Sequence, residues 1–280
     1  MEIHKTPSYL SPHHLKSLFE HIEYRVARTR EELEKAFTLV YREYLKRGYI
    51  TKESGTPFKI SIYNALPDTT TFVAIAGNEI LATATVIPDS PLGLPMDELY
   101  NEELKPFREK NKKICEISML ASNTDLFEGG ISLMLNAKKM FLIFNLFKLI
   151  FDYARNVLKL DMMCITINPK HKLTYDFLLF KDLGGLKTYK SVNDAPAIAK
   201  YLDLHTVEEE CRKENKTGLY KMFFSRTISG EQLSNKARLT PDDLKYFFMN
   251  KTKIFLHSSP QQLEYIKKCY PQYNFDEIIS

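Results

Sequence analysis

The residues KICEISMLA, Lys113–Ala121, alternate as a β-strand does and set one carboxylate among apolar side chains. Strand geometry places Ile114, Glu116, Ser118 and Leu120 on one face. A glutamate on a mostly apolar face loses hydration, and its pKa rises unless a cation pairs with it. Glu116 is therefore either a candidate proton acceptor or the partner of an arginine on the first helix, such as Arg42.

Outward from this strand the elements follow in a clear order. Glu23–Arg28 reads as a strand, and Thr29 with Glu32 three residues on forms a capping box. The helix it opens runs to about Arg47, with Leu33, Phe37, Val40, Tyr41 and Tyr44 at helical spacing. Thr71–Ala76 and Glu79–Ile87 flank Gly77-Asn78, a hairpin whose turn accepts positive φ. The loop PDSPLGLP, residues 88–95, leads to a helix over Met96–Lys110. After the Glu116 strand come a long apolar helix, about Ile131–Leu158, and a strand over Asp161–Ile167. A helix from His171 to about Lys181, ended by Gly184-Gly185, and short strands at Leu186–Tyr189 and Lys200–Leu204 complete the pattern. The order predicts an α/β (α+β) fold, a mixed central sheet flanked by helices. Residues 1–21 read as an N-terminal helical segment, with a helix at 7–20, and residues 22–205 as the main domain. Residues 206–280 read as a C-terminal helical extension, with helices at Thr240–Met249 and Pro260–Cys269.

Composition narrows the function classes. A net charge of +4 with 44% hydrophobic residues is too mild for a nucleic-acid binder. The four cysteines, Cys115, Cys164, Cys211 and Cys269, show neither metal spacing nor a secreted disulfide framework. No signal-peptide pattern and no apolar run of about 20 residues is present, so a cytoplasmic setting without a transmembrane segment is expected. The histidines make no metal site, and neither a nucleophile elbow nor a Walker loop occurs.

Specific residues carry a resemblance. Tyr175–Phe180, YDFLLF, resembles the "LYEKLGF" box of the GNAT superfamily, with Leu179 in place of its glycine. The blocks VYREYLKRGYI (40–50), FVAIAGNEILATATVIPDSPLGLPMDELYNEEL (72–104), CEISMLA (115–121) and INPKHKLTY (167–175) resemble the FeeM-type N-acyl amino acid synthases, relatives of the acyl-homoserine lactone synthases. The resemblance implies a GNAT-like acyl-CoA N-acyltransferase fold. It also implies transfer of a long acyl chain from an acyl carrier protein thioester to the α-amine of an amino acid. Met119 stands where the lactone synthases carry arginine, which argues against S-adenosylmethionine as substrate. ASNTDLFEGGISLML (121–135) replaces the GNAT pyrophosphate loop, although Gly129-Gly130 still offer backbone N–H groups at a helix start. The donor implied is acyl-phosphopantetheine on carrier protein, with acyl-CoA disfavoured and no tightly bound cofactor. The alternatives are a coenzyme-A-dependent acetyltransferase for a small amine, and a non-catalytic carrier or lipid binder.

Aminolysis of a thioester needs a neutral amine, a stabilised oxyanion and a protonated leaving thiolate. Glu116 is the candidate base. Tyr175 is the acid implied by the GNAT box, or a packing residue of an amphipathic helix. The oxyanion site falls on backbone N–H groups along Glu116–Met119, where GNAT strands splay apart; Ser118, Met119 and Leu120 of the same strand are candidate substrate-binding residues. Tyr41 and Arg42 sit where related synthases place substrate-site residues. Phe141 and Phe144 belong to a helix that is either buried core or the lining of an acyl tunnel, less readily a membrane-docking face. Lys138, Lys139, Lys170 and Lys172 are candidate contacts to an acidic carrier protein, or solvated surface charges.

Overall fold

The structure, a computed structural model, describes residues 21–52, 56–126, 133–226, 228, 233 and 235–280, with backbone alone at 133–138. The helix expected at 7–20, Gly129-Gly130 and the Lys138 side chain lie outside the described residues.

Seven strands form one mixed sheet: β1 Glu23–Val26, β2 Thr70–Ala76, β3 Glu79–Pro88, β4 Ile114–Ser122, β5 Met162–Ile167, β6 Lys181–Tyr189 and β7 Ala195–Asp203. Their spatial order is β1-β2-β3-β4-β5-β7-β6. All neighbours run antiparallel except β4 and β5, which are parallel. The helices between them are α1 Arg30–Lys46, α2 Asp97–Glu109, α3 Leu133–Asp152 and α4 Lys172–Phe177. α5 Val207–Lys213 and α6 Thr217–Phe224 follow β7, and α7 Pro241–Lys245, α8 Ile254–His257, α9 Pro260–Cys269 and α10 Phe275–Ile279 close the chain.

Three apolar clusters hold these layers. On one face α3 buries Leu142, Leu146, Phe147 and Ile150 against Phe72, Ala84, Cys115 and Ile117, joined by Val207 of α5 and Phe223 of α6. On the other, α1 buries Phe37 and Val40 against Val73, Met119 and Ala121. Leu244, Phe247, Phe248 and Ile266 from the chain's last quarter complete that second cluster. The third lies under α2, where Tyr100 and Leu104 meet Ile87, Ile114 and Cys164. Residues beyond 205 therefore pack on both faces of the sheet.

Three local expectations change. The Thr29 hydroxyl caps α1 by accepting the Glu32 N–H at 3.2 Å. Glu32, however, does not complete a box with Thr29; its carboxylate accepts the Arg28 N–H at 2.7 Å and the Arg25 guanidinium at 2.8 Å. Gly184-Gly185 do not end a helix but lie inside β6. α4 ends earlier, at Phe177, where Leu179 turns left-handed (φ +68°) and the Phe180 N–H returns to the Tyr175 carbonyl at 2.9 Å. The glycine at 184 is required by α2, since a Cβ there would stand 2.4 Å from the Tyr100 ring. The Tyr100 hydroxyl donates across the sheet to the carbonyls of Gly185 and Ala197 at 3.0 and 2.8 Å.

The third change falls on β4. Thr85 faces Ser118 and Thr83 faces Ala121, so two residues of β4 oppose Ala84 alone. Met119 makes this bulge with φ +54°. The four residues 114, 116, 118 and 120 therefore do not share one face. Ile114 keeps to the α2 side, while Leu120 turns to the α3 side with Cys115 and Ile117, and Met119 and Ala121 move to the α1 side.

Candidate active site

Strands β4 and β5 pair only through Ile114–Glu116 and Met162–Cys164. Beyond that point β4 stays with β3 and β5 with β7, so the sheet splits between them. Glu116 stands at the vertex of the split, and the Met119 bulge lies along one arm.

Glu116 is 3% exposed, and one carboxyl oxygen accepts the Met96 N–H at 2.7 Å. Burial pushes its pKa up to about 8, the Met96 N–H opposes that rise, and the Asp97 charge adds to it. Arg42 does not neutralise it. That guanidinium lies half-exposed, 3.7 Å from Asp125 at the far end of α1. The sequence left open an ion pair or a desolvated acid, and the geometry gives the desolvated acid.

The loop that supplies Met96 is rigidly built. Arg108 bonds both oxygens of Asp89 and both of Asp97, all at 2.7–2.9 Å. Asp97 also accepts the Leu94 N–H at 2.8 Å, which requires Gly93: a Cβ there would meet Asp97 Oδ2 at 2.2 Å. The Tyr63 hydroxyl donates to the Leu92 carbonyl at 3.3 Å and the Tyr189 hydroxyl to that of Pro95 at 3.0 Å. The Pro-Asp-Ser-Pro motif and the Glu116 strand are thus two parts of one site.

The Glu116 charge raises the pKa values of Tyr44, Tyr63 and Tyr189 further, after burial has done most of it; Tyr44 and Tyr63 reach about 12. Tyr175 belongs to the α3-side cluster, edge-on to Phe147 and Phe180. Burial, and then Tyr44, raise its phenol strongly. Tyr44 is thus coupled to both Glu116 and Tyr175. Sequence reasoning placed Tyr44 only as a packing residue and did not single out Tyr63 or Tyr189. The i, i+3 spacing of Tyr41 and Tyr44 was the available signal, and it favoured neither.

Among the remaining expected residues, Tyr41 and Ser118 are half-buried, and Leu120 is half-buried on the α3 side. Met119 is buried and its sulfur faces Asn64 Nδ2 at 3.8 Å. Phe141 is not core: it is 65% exposed. It lies one helical turn from half-buried Phe144, which meets Phe177 of α4 at a ring distance of 6.2 Å. Leu173 and Phe177 are 81% and 50% exposed, so the α3–α4 face presents an apolar surface.

Cations rim this surface. Lys139, Arg47, Lys170 and His171 come close together: burial and then Arg47 lower the Lys139 pKa, and burial, Lys170, Arg47 and Lys139 lower that of His171. Lys172 is engaged elsewhere, pairing with Asp176 and Asp182 at 3.1 and 3.2 Å. Glu43, fully buried at the end of α1, accepts the Thr124 N–H and hydroxyl and pairs with Arg47 and Lys46. It ties α1 to the exit of β4 and was not singled out from sequence. No helix among the described residues is long and apolar enough to cross a membrane.

The family of N-acyl amino acid synthase FeeM matches residues 35–203. The structure of FeeM, an N-acyl amino acid synthase from uncultured soil microbes, is 31% identical, with a TM-score of 0.57 over 68% of this chain and 94% of that one. A CoA-dependent acyl-homoserine lactone synthase, MesI, is 15% identical, with a TM-score of 0.47 over 76% of this chain and 100% of that one. Among curated proteins none matches. With the split sheet, the buried glutamate at its vertex and the match over residues 35–203, the chain belongs to the FeeM family of N-acyl amino acid synthases and is an N-acyltransferase of GNAT-like fold.

Proposed function

We propose that the protein transfers a long-chain acyl group from the phosphopantetheine thioester of an acyl carrier protein to the α-amine of an amino acid. The observation that carries this reading is Glu116, a buried carboxyl without a cation partner among the described residues, set at the vertex of the split. Its pKa of about 8, well above the ordinary 4.5, lets the carboxylate hold the proton that the attacking nitrogen gives up.

In this mechanism the amine nitrogen adds to the thioester carbonyl, forming the C–N bond and an oxyanion. Glu116 takes the amine proton, directly or through one water. N–H groups of β4 along the split receive the oxyanion. Collapse breaks the C–S bond, and the thiolate takes a proton from a tyrosine phenol, Tyr175 or its neighbour Tyr44, which the proton held by Glu116 then replaces. Tyr41, Arg42 and Ser118 flank the amine and thioester. The apolar α3–α4 face with Lys139, Lys170 and Arg47 suits an acidic carrier bearing an acyl chain.

Purified protein with a long-chain acyl carrier protein and a panel of amino acids, read by mass spectrometry, tests this directly. An N-acyl amino acid is expected. Product from acyl-CoA and a small amine alone would replace both donor and acceptor, and no product from either donor would overturn catalysis.

A further inference from the structure

Away from the split, the last quarter of the chain closes over α1 and the start of β2 and leaves a cavity of about 330 Å³. Ligand pockets begin at about this size, roughly 300 Å³. Phe37, Phe247 and Phe248 are buried in its wall, with Phe247 edge-on to Phe37 at 5.5 Å. Lys236, Arg238 and Asp68 also line it. Its residues from Lys236 to Tyr273 lie outside the part of the chain that matches the family.

The ammonium of Lys236 is the group that needs explaining. It is half-buried, and it donates to Thr70 Oγ1 at 3.1 Å. That hydroxyl is already shared with the Tyr153 hydroxyl at 2.8 Å and the Asp68 carbonyl at 3.2 Å. Burial lowers the Lys236 pKa, the Asp68 charge opposes this, and Arg238 adds to the lowering. Two cations against one carboxylate leave a single net positive charge beside the buried rings of Phe37, Phe247 and Phe248, with Asn64, Gln272 and Thr69–Thr71 supplying further polar lining. Such a site suits a monoanion with an apolar body, its one charge matched to the net charge of Lys236, Arg238 and Asp68 and its hydrocarbon part to the buried phenylalanines.

We propose that this cavity is a second binding site, for a small carboxylate whose charge meets Lys236 and Arg238 and whose apolar body lies on Phe37 and Phe247. It is independent of the acyl-transfer reading, since it shares neither Glu116 nor the split. Asn64 lies in its wall and reaches Met119, so an occupant would touch the bulge through one side chain.

Cys269 lines the cavity and is only half-buried, whereas Cys115, Cys164 and Cys211 are buried. Its alkylation by iodoacetamide, followed site by site by mass spectrometry on the full chain, reports occupancy locally. Decanoate is expected to slow alkylation of Cys269 saturably below about 10 mM, and Lys236→Met to weaken that protection about ten-fold, as loss of a charged hydrogen bond requires. Arg238→Ala, at an exposed position, is expected to weaken it in the same direction and serves where Lys236→Met unfolds the protein. Decylamine is expected to give no protection. Equal protection by decylamine, undiminished protection in both variants, or none by decanoate would overturn the site.

Discussion

The carboxyl of Glu116 accepts the backbone N–H of Met96 at 2.7 Å, binding the vertex of the split sheet to the loop that opens α2. This bond makes the glutamate both an anchor for that loop and a desolvated acid. The two roles separate on substitution, because an amide keeps the acceptor and loses the proton.

Glu116→Gln is expected to retain the Met96 bond and the fold while lowering turnover by about 10²–10⁴, the range for loss of a general base. Steady-state kinetics with a melting curve on the same sample checks both. Unchanged turnover would leave Glu116 as a loop anchor only.

The raised pKa also has a sign for stability. The folded value of about 8 lies above the ordinary 4.5, so between them the folded state holds a proton the unfolded chain has released. This contribution is fully present below about pH 4.5 and is lost as pH rises through about 8. The wild type is expected to lose more melting temperature between pH 6 and pH 9 than Glu116→Gln. Over the same interval turnover at saturating substrates rises towards pH 8 in the wild type, as the carboxylate forms. Parallel melting curves for the two proteins would exclude the shift.

Charge reversal at Lys170, with Phe177→Ser in a second variant, is expected to raise KM for a carrier-bound donor while leaving kcat nearly intact. The Lys170→Glu effect should fade with added salt, since exposed charges are screened over about 10 Å at 0.1 M. A fall in kcat alone, without salt dependence, would move Lys170 away from donor docking.

Gly184→Ala forces its methyl against the Tyr100 ring at 2.4 Å, and overpacking of this kind costs about 1–3 kcal/mol. Gly185→Ala meets nothing within 4 Å and is expected to be near neutral. Thermal denaturation of the pair tests whether α2 sets the glycine in β6.

Much of the site was legible in sequence because its signals are local. The alternation of Ile114, Glu116 and Ser118, the hairpin at Gly77-Asn78 and the Pro-Gly loop before α2 each follow from neighbouring residues. The bulge was not legible: its left-handed residue is Met119, where a glycine would have announced it. Gly184-Gly185 misled for the converse reason. Glycine is ordinarily a helix stop, and here it makes room for a tyrosine from elsewhere in the chain.

By itself, the sequence determined the order of strands and helices, the half-apolar strand of β4 and the glutamate within it, since backbone periodicity and turn chemistry act over a few residues. Only the tertiary structure decided that Glu116 has no arginine partner among the described residues, that Tyr44 feels the charge of Glu116 and acts on Tyr175, and that Phe141 faces outward. It also decided that the last helices enclose a cavity. These are properties of distance and dielectric, set by where β4 and β5 part and by which distant side chains the packing brings to that point.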